Sequence, residues 1–522
     1  MEAKKRRRLP LLAASAAMSL ALVATLTGCV QTSGGGSPAG KTLVYGTTAY
    51  SVEMDDAGLN PHSAYSGWSC VRYGVGETLF KFSDSMQPEP WLADSYEFVN
   101  DRTVKITLKE GIAFSSGRML DGAAVKECLD DLVATHDRAP KDLKIANISA
   151  EGNAVVIECT EPCPSLINFL CDPYGAIIDM QEGVSETKSV VGTGPYVAES
   201  VSDTEIKLHK NVTYWNGDPK LDTVVVSSIT DGDTLTSAMQ SGEIQACNGL
   251  PNSSYQLFDN SKYTISNGNT SRVFFGQLNY NSPVLQDEAV RSAIAQGIDK
   301  RGYVDTLLNG RGVVAKGMFP ETMEFGSKDL KVPSFDKEAA KATLEAAGWV
   351  DSDGDGIREK DGQKLTLRWL TFPSRQELTL LSESAQATLG EIGFDVQVNS
   401  TSSHAEVRKD KAAWDVYSYS MVVAPTGDPD YFFSACCLDG STKNYGGYRN
   451  DEVERLSAQL KSTFDPLERA RIAAAMQQLI VDDNAFVFAS FLETGIVTDA
   501  KVTGLKPHPC DYYEITADLD IK

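Results

Sequence analysis

The chain has 522 residues, 42% of them hydrophobic and 23% charged, with 48 Lys and Arg against 71 Asp and Glu for a formal net charge of −23. That composition is globular, and the length suits two to four structural units of about 100–200 residues each. The acidic excess and the lack of a basic patch exclude a nucleic acid as partner. Histidines stand only at 62, 136, 209, 404 and 508, too dispersed for a paired zinc site on one helical turn.

Residues 4–8, KKRRR, lead into LPLLAASAAMSLALVATLTGCV, the basic and apolar regions of an export signal. Leu26-Thr27-Gly28-Cys29 resembles a bacterial lipobox, in which the cysteine is lipid-linked and becomes the mature N-terminus. Acyl chains hold such a protein at a membrane by about 0.8 kcal/mol per buried methylene. The expected location is the extracytoplasmic face of the cell membrane, anchored through Cys29. Removing the signal at 1–28 leaves a body of charge about −27. Residues 29–42 are rich in Gly and Ser and read as a tether. Gly35, Gly40, Lys41 and Thr42 match a phosphate-loop spacing, but that motif must follow a strand and open a helix, and here it precedes the strand-like LVYGTTAY.

Sheet-forming sequence dominates residues 41–110, with a period of two over Thr103–Leu108. A helix is expected over 121–136, capped by Asp121, with Val125, Cys128, Leu129, Leu132 and Val133 on its apolar face. Alternation returns over 205–230, followed by helices at 287–308 and 337–348 and a strand at 365–372. A helix over 375–392, strands around 394–400 and 414–423, and helices around 450–462 and 466–482 complete a mixed α/β pattern. With Cys29 lipidated, nine cysteines remain, so four disulfides would still leave one thiol unpaired. Cys159 and Cys163 flank a Glu-Pro turn and Cys436-Cys437 is vicinal; no pair of C-x-x-C motifs at zinc spacing occurs.

Several segments together resemble the family 5 extracellular solute-binding proteins, the oligopeptide, dipeptide and nickel-chelate binding lipoproteins of ABC importers. They are LNPH at 59–62, WLADSYEF at 91–98, VGTGPYVAES at 191–200, NVTYWNGDPKLDTVVV at 211–226, SAMQSGEIQA at 237–246, LNYNSPVLQDEAVRSAIAQGIDK at 278–300, GDPDYFF at 427–433 and NYGGYRNDEVERL at 444–456. The resemblance covers about residues 43–510. It implies a periplasmic-binding-protein-like two-lobe α/β fold (class C, type II) with an extra domain inserted in lobe I. Lobe I would comprise 43–62, 187–273 and 492–522, the inserted domain 63–186, and lobe II 274–491. The implied function is capture of short peptides in an interlobe cleft by hinge closure, and delivery to the permease and ATPase subunits of an importer. A nickel or other metal-chelate binder of the same family is the alternative. A secreted hydrolase is a remote one, since no nucleophile–base pair and no G-x-S-x-G elbow occurs, so no enzyme is expected.

The resemblance places Tyr65, Trp68, Phe275, Tyr419, Met421, Val423 and Asp428 at the ligand, with Tyr419 and Asp428 singled out because polar tips on an apolar segment need partners. The family's ammonium-capping Asp is replaced by Pro425, and the nickel branch's cleft His and Arg by Tyr419 and Asp172. With Asp172, Asp428 and Asp430 nearby and few basic residues, the cleft is expected to favour a cationic or zwitterionic ligand. Gly192-Thr193-Gly194-Pro195-Tyr196 reads as backbone punctuation and Tyr214-Trp215 as lobe packing. Asp351, Asp353 and Asp355, followed by Gly356, have the spacing of a calcium loop, though position 12 is Gly362. A structural calcium ion is therefore the one cofactor the sequence admits.

Overall fold

A computed structural model describes residues 40–50, 52 and 58–522. The export signal, the lipobox with Cys29 and nearly all of the tether lie outside the described residues. Among those described, no helix is long and apolar enough to cross a membrane.

Two long strands organise the molecule. Tyr263–Leu278 and Phe486–Asp499 run antiparallel beside one another through the middle of an 11-stranded sheet. On one side of them the strands Ala246–Asn248, Thr42–Thr47, Thr223–Ser228, Glu205–Lys210 and Tyr196–Val201 follow in that spatial order. On the other side come Val416–Val422, Thr366–Thr371 and Asp395–Ser400. Sequence distant by more than two hundred residues is thus joined in one sheet. The pairing of the long strands is interrupted where Asn269 opposes Glu493 but Val273 opposes Phe491. Residues 270–272 bulge there, and Thr270 Oγ1 donates to the Leu492 carbonyl at 3.0 Å. A bulge bends a strand and re-aims its side chains, and this one sends Arg272 toward the space between the halves.

A separate antiparallel sheet of Ala93–Asn100, Thr103–Leu108, Ala154–Cys159 and Ile145–Glu151 lies within the segment expected to be inserted. Val104, Ile106 and Leu108 are buried on one face, as their period of two requires. The helix Gly122–Thr135 packs on this sheet, with the Asp121 side chain accepting from the Ala124 amide at 2.9 Å. Its Ala124, Val125, Cys128, Leu129 and Leu132 are buried.

The expected helix over 287–308 is broken. Glu288–Gly297 ends at Ile298, and a short turn Lys300–Gly302 and a wider turn Tyr303–Leu307 follow, because Asp299 takes the Gly302 amide at 2.8 Å and starts a new cap. The remaining helices form as Lys337–Ala346, Gln376–Gly390, Asp451–Leu460 and Pro466–Asp482. A Cβ on Gly192 would lie 2.1 Å from the Val75 carbonyl oxygen and one on Gly194 2.3 Å from that of Gly74, so the chain passes there only without side chains. Beside that crossing, buried Glu77 accepts from Thr193 Oγ1 at 2.8 Å, Tyr214 Oη at 2.7 Å and Trp215 Nε1 at 2.8 Å. Burial raises its carboxyl to about 7 against the pull of those three donors. Tyr214 and Trp215 are thus packing residues that lock two stretches of chain together.

Candidate functional site

A cavity of about 530 Å³ opens where the bulge meets the end of Val416–Val422, the loop before Gln376–Gly390, and the segments around 64–68, 172–174 and 510–512. Both lobes contribute to its walls. A larger cavity, about 680 Å³, is lined by residues from 71–91, 195–216 and 504–518, all within the segments expected to form lobe I and its inserted domain. The smaller one is the candidate ligand cleft.

Its walls are aromatic and its charge is basic. Tyr65, Trp68, Tyr174, Tyr431 and Tyr512 supply ring faces, and Arg138, Arg272, Arg375 and Lys443 stand against Asp172 and Asp511. This corrects the expectation of an acidic cleft with few cations. Arg138 is ion-paired with Asp172 and, at 3.1 Å, with Asp142, and lies 4.8 Å over the Tyr174 ring. Burial raises Asp172, with Arg138 pulling the other way. Arg272 and Arg375 differ: neither takes part in an ion pair among the described residues. Burial, and then the nearby Arg375, push Arg272 below the usual arginine range. Two guanidiniums that repel one another in a half-dry cleft make a place for an anionic group.

Trp68 is held from two directions. Its Nε1 donates to Asp511 Oδ1 at 2.9 Å, and the Arg72 guanidinium lies 4.1 Å from its ring centre. Arg72 is bound to Glu514 at 2.5 Å, which also accepts from Tyr45 Oη at 2.5 Å and Asn248 Nδ2 at 3.0 Å. Asp511 and Ala64 both line the cleft with positive φ, +55° and +44°. Backbone strain at non-glycine residues persists where the surroundings fix it.

Of the expected ligand residues, Tyr65, Trp68 and Met421 line the cleft, Tyr65 at 78% exposure at its mouth. The structure places the other four elsewhere. Phe275 and Tyr419 are register partners, and that face of the sheet is covered by the helix Asp430–Cys436. Phe275 is therefore buried among Phe432, Phe486 and Phe488, and Tyr419 packs 5.6 Å from Tyr445 and 5.9 Å from Tyr417. Val423 is fully buried, its amide bonded to the Ser271 carbonyl. Asp428 is buried in an ion pair with Arg469 and accepts from Ser165 Oγ at 2.9 Å, so its polar tip has protein partners. Asp430 accepts from Ser434 Oγ at 3.0 Å and also lies outside the cleft.

Arg272, Arg375, Lys443 and Asp511 were not anticipated. The available signal was Arg272 itself, a lone cation opening the apolar run VFFGQL. At the acidic loop, ligand atoms of Asp351, Asp353 and Glu359 converge within 4.8 Å of one another. Asp355 instead pairs with Lys364, whose Nζ also lies 3.4 Å from Asp353. Glu359 thus stands where Asp355 was expected, and a lysine neutralises part of the cluster.

Comparison with known proteins supplies the frame. The model of "Bacterial extracellular solute-binding proteins, family 5 Middle" matches residues 87–444. The nickel-binding protein NikA of Staphylococcus aureus is 27% identical over 447 residues, 85% of this chain and 89% of that one. The oligopeptide-binding protein AppA of Bacillus subtilis is 29% identical over 353 residues, 65% of this chain and 64% of that one. The crystal structure of a nickel ABC transporter protein from Bacillus halodurans superposes with a TM-score of 0.82 at 27% identity, over 92% of this chain and all of the other.

Proposed function

Because the chain belongs to the family 5 bacterial extracellular solute-binding proteins, and so is the non-enzymatic substrate-binding component of an ABC importer, we propose that its ligand is a small carboxylate-bearing metal chelate. The observation that carries this reading is the pair Arg272 and Arg375, cations that form no ion pair among the described residues and line a cleft of about 530 Å³. That volume suits a compact molecule. Among the described residues the cleft walls hold no histidine, and burial raises the thiol of Cys510 out of the thiolate range. The metal would arrive already chelated, and the protein would read the chelator's outward carboxylate by charge-assisted hydrogen bonds while Trp68, Met421 and Tyr431 cover its apolar edges. Similarity to the nickel-binding relatives supports the same reading.

A short peptide is the second reading, favoured by Asp511 and Asp172 in the same walls, which suit the ammonium end of a zwitterion whose carboxylate meets Arg272. Ligand binding would shift an open–closed equilibrium about the bulge at 270–272 and present the closed form to the permease. Lipidation of Cys29 would keep the protein at the membrane. Calorimetry with a nickel–histidine complex and with a dipeptide series separates the two ligand classes. Saturable heat with the chelate alone supports the first, and heat with the dipeptides alone replaces it by the second. Release of a Cys29→Ala variant from membranes tests the anchor.

A further inference from the structure

The separate four-stranded sheet ends at Cys159, and the chain turns through Thr160-Glu161-Pro162 to Cys163. The Cys159 amide donates to the Arg102 carbonyl at 2.7 Å and the Cys163 amide to that of Asp101 at 3.2 Å, so the two cysteines hang from neighbouring peptide units. Their side chains converge as well. Both Sγ atoms reach the same acceptor, the Leu143 carbonyl oxygen, at 3.6 Å and 3.8 Å. Hydrogen bonding between the two thiols holds Cys159 low and pushes Cys163 up. No third metal-ligating side chain joins them among the described residues.

We propose that Cys159 and Cys163 form an intrachain disulfide in the exported protein. The chain acts outside the reducing cytosol, where disulfides persist. The oxidant is a disulfide-bearing thiol oxidase. One cysteine thiolate attacks the oxidase disulfide and expels a thiolate; the second attacks the resulting mixed disulfide, forming the Cys159–Cys163 bond. Two protons leave the cysteines, and two electrons convert the oxidase disulfide to a dithiol. Burial of both thiols in the folded chain is no obstacle, because three intervening residues keep the reaction local before folding is complete.

The bond has a structural consequence. Just beyond it, Ser165 Oγ donates to Asp428 and accepts from Arg469 at 3.0 Å, and Asn168 Nδ2 donates to the Thr426 carbonyl at 2.9 Å. The disulfide therefore pins the root of the contact by which this sheet grips the segment 426–428 of the other lobe.

The full-length protein, taken from the envelope of producing cells without reductant and blocked with N-ethylmaleimide, is digested and its peptides weighed. The expected result is a peptide holding Cys159 and Cys163 that is two hydrogens lighter than the dithiol and is labelled at both only after reduction. Labelling of both before reduction, or a bond from either to another cysteine, overturns the proposal. Independently, reduction should lower the Tm of the wild type by roughly 2 °C and leave Cys159→Ser/Cys163→Ser largely unmoved, whereas Cys171→Ser should respond like the wild type. A wild-type Tm indifferent to reductant, or a double variant as sensitive as the wild type, contradicts it.

Discussion

Two arginines, Arg469 and Arg272, share a chemistry and differ in their company. Arg469 is buried, and its guanidinium meets Asp428, Ser165 Oγ, the Leu460 carbonyl at 2.6 Å and the Thr463 carbonyl at 3.0 Å. Arg272 is half-buried at the cleft and has no carboxylate in an ion pair among the described residues. Its charged neighbours are Arg375, which repels it, and Asp511 and Glu377, which attract it. A buried charge whose donors are all answered holds a fold together; one that is desolvated and left short of anions is arranged for something that arrives later. The same residue type is thus structural at 469 and ligand-directed at 272.

Breaking the satisfied side should give the largest effect. Asp428→Ala strands the Arg469 cation in the interior and should cost about 3–5 kcal/mol of folding stability, read by denaturant unfolding, with ligand affinity unchanged in whatever fraction remains folded. Next comes Glu77, another buried charge with protein partners only. Its carboxyl titrates at about 7 folded against an ordinary value of 4.5. Between those values the folded state holds the extra proton, so stability is present below pH 4.5 and is lost as pH rises toward 7. The loss is of the order of 3 kcal/mol, and Glu77→Gln should flatten that slope in unfolding curves measured across the range. On the cleft side, Trp68→Ala removes a ring fixed by Asp511 and Arg72 and should weaken ligand binding by about 1–3 kcal/mol by calorimetry. Tyr419→Phe should be the smallest change, below about 1 kcal/mol in either property, because its ring packs outside the cleft.

Much of this was legible in the sequence, for identifiable reasons. Period-two burial at Thr103–Leu108 and the Asp121 cap are local signals, and local structure follows them. Tyr65, Trp68 and Met421 reached the cleft because the motif around LNPH and the strand Val416–Val422 fix their positions. Phe275 and Tyr419 did not, because which face of a strand becomes buried is decided by the packing around it, a tertiary fact, and Val423 is fully buried just past the end of its strand. Asp428 looked unpartnered only because Arg469 lies 41 residues away in sequence. Arg272 escaped notice for the converse reason: its direction depends on a bulge in the register of two strands more than two hundred residues apart.

Arg272→Met tests the central claim most directly, with the folding stability of the ligand-free protein and its affinity for a nickel–histidine complex measured on one preparation. The account predicts that stability is unchanged or raised, since a repelled cation is removed, and that affinity falls by about 2–3 kcal/mol, the scale of a lost hydrogen bond to a charged group. A variant that loses stability as Asp428→Ala does, while binding as tightly as the wild type, would show that Arg272 is structural and that the cleft has been misassigned.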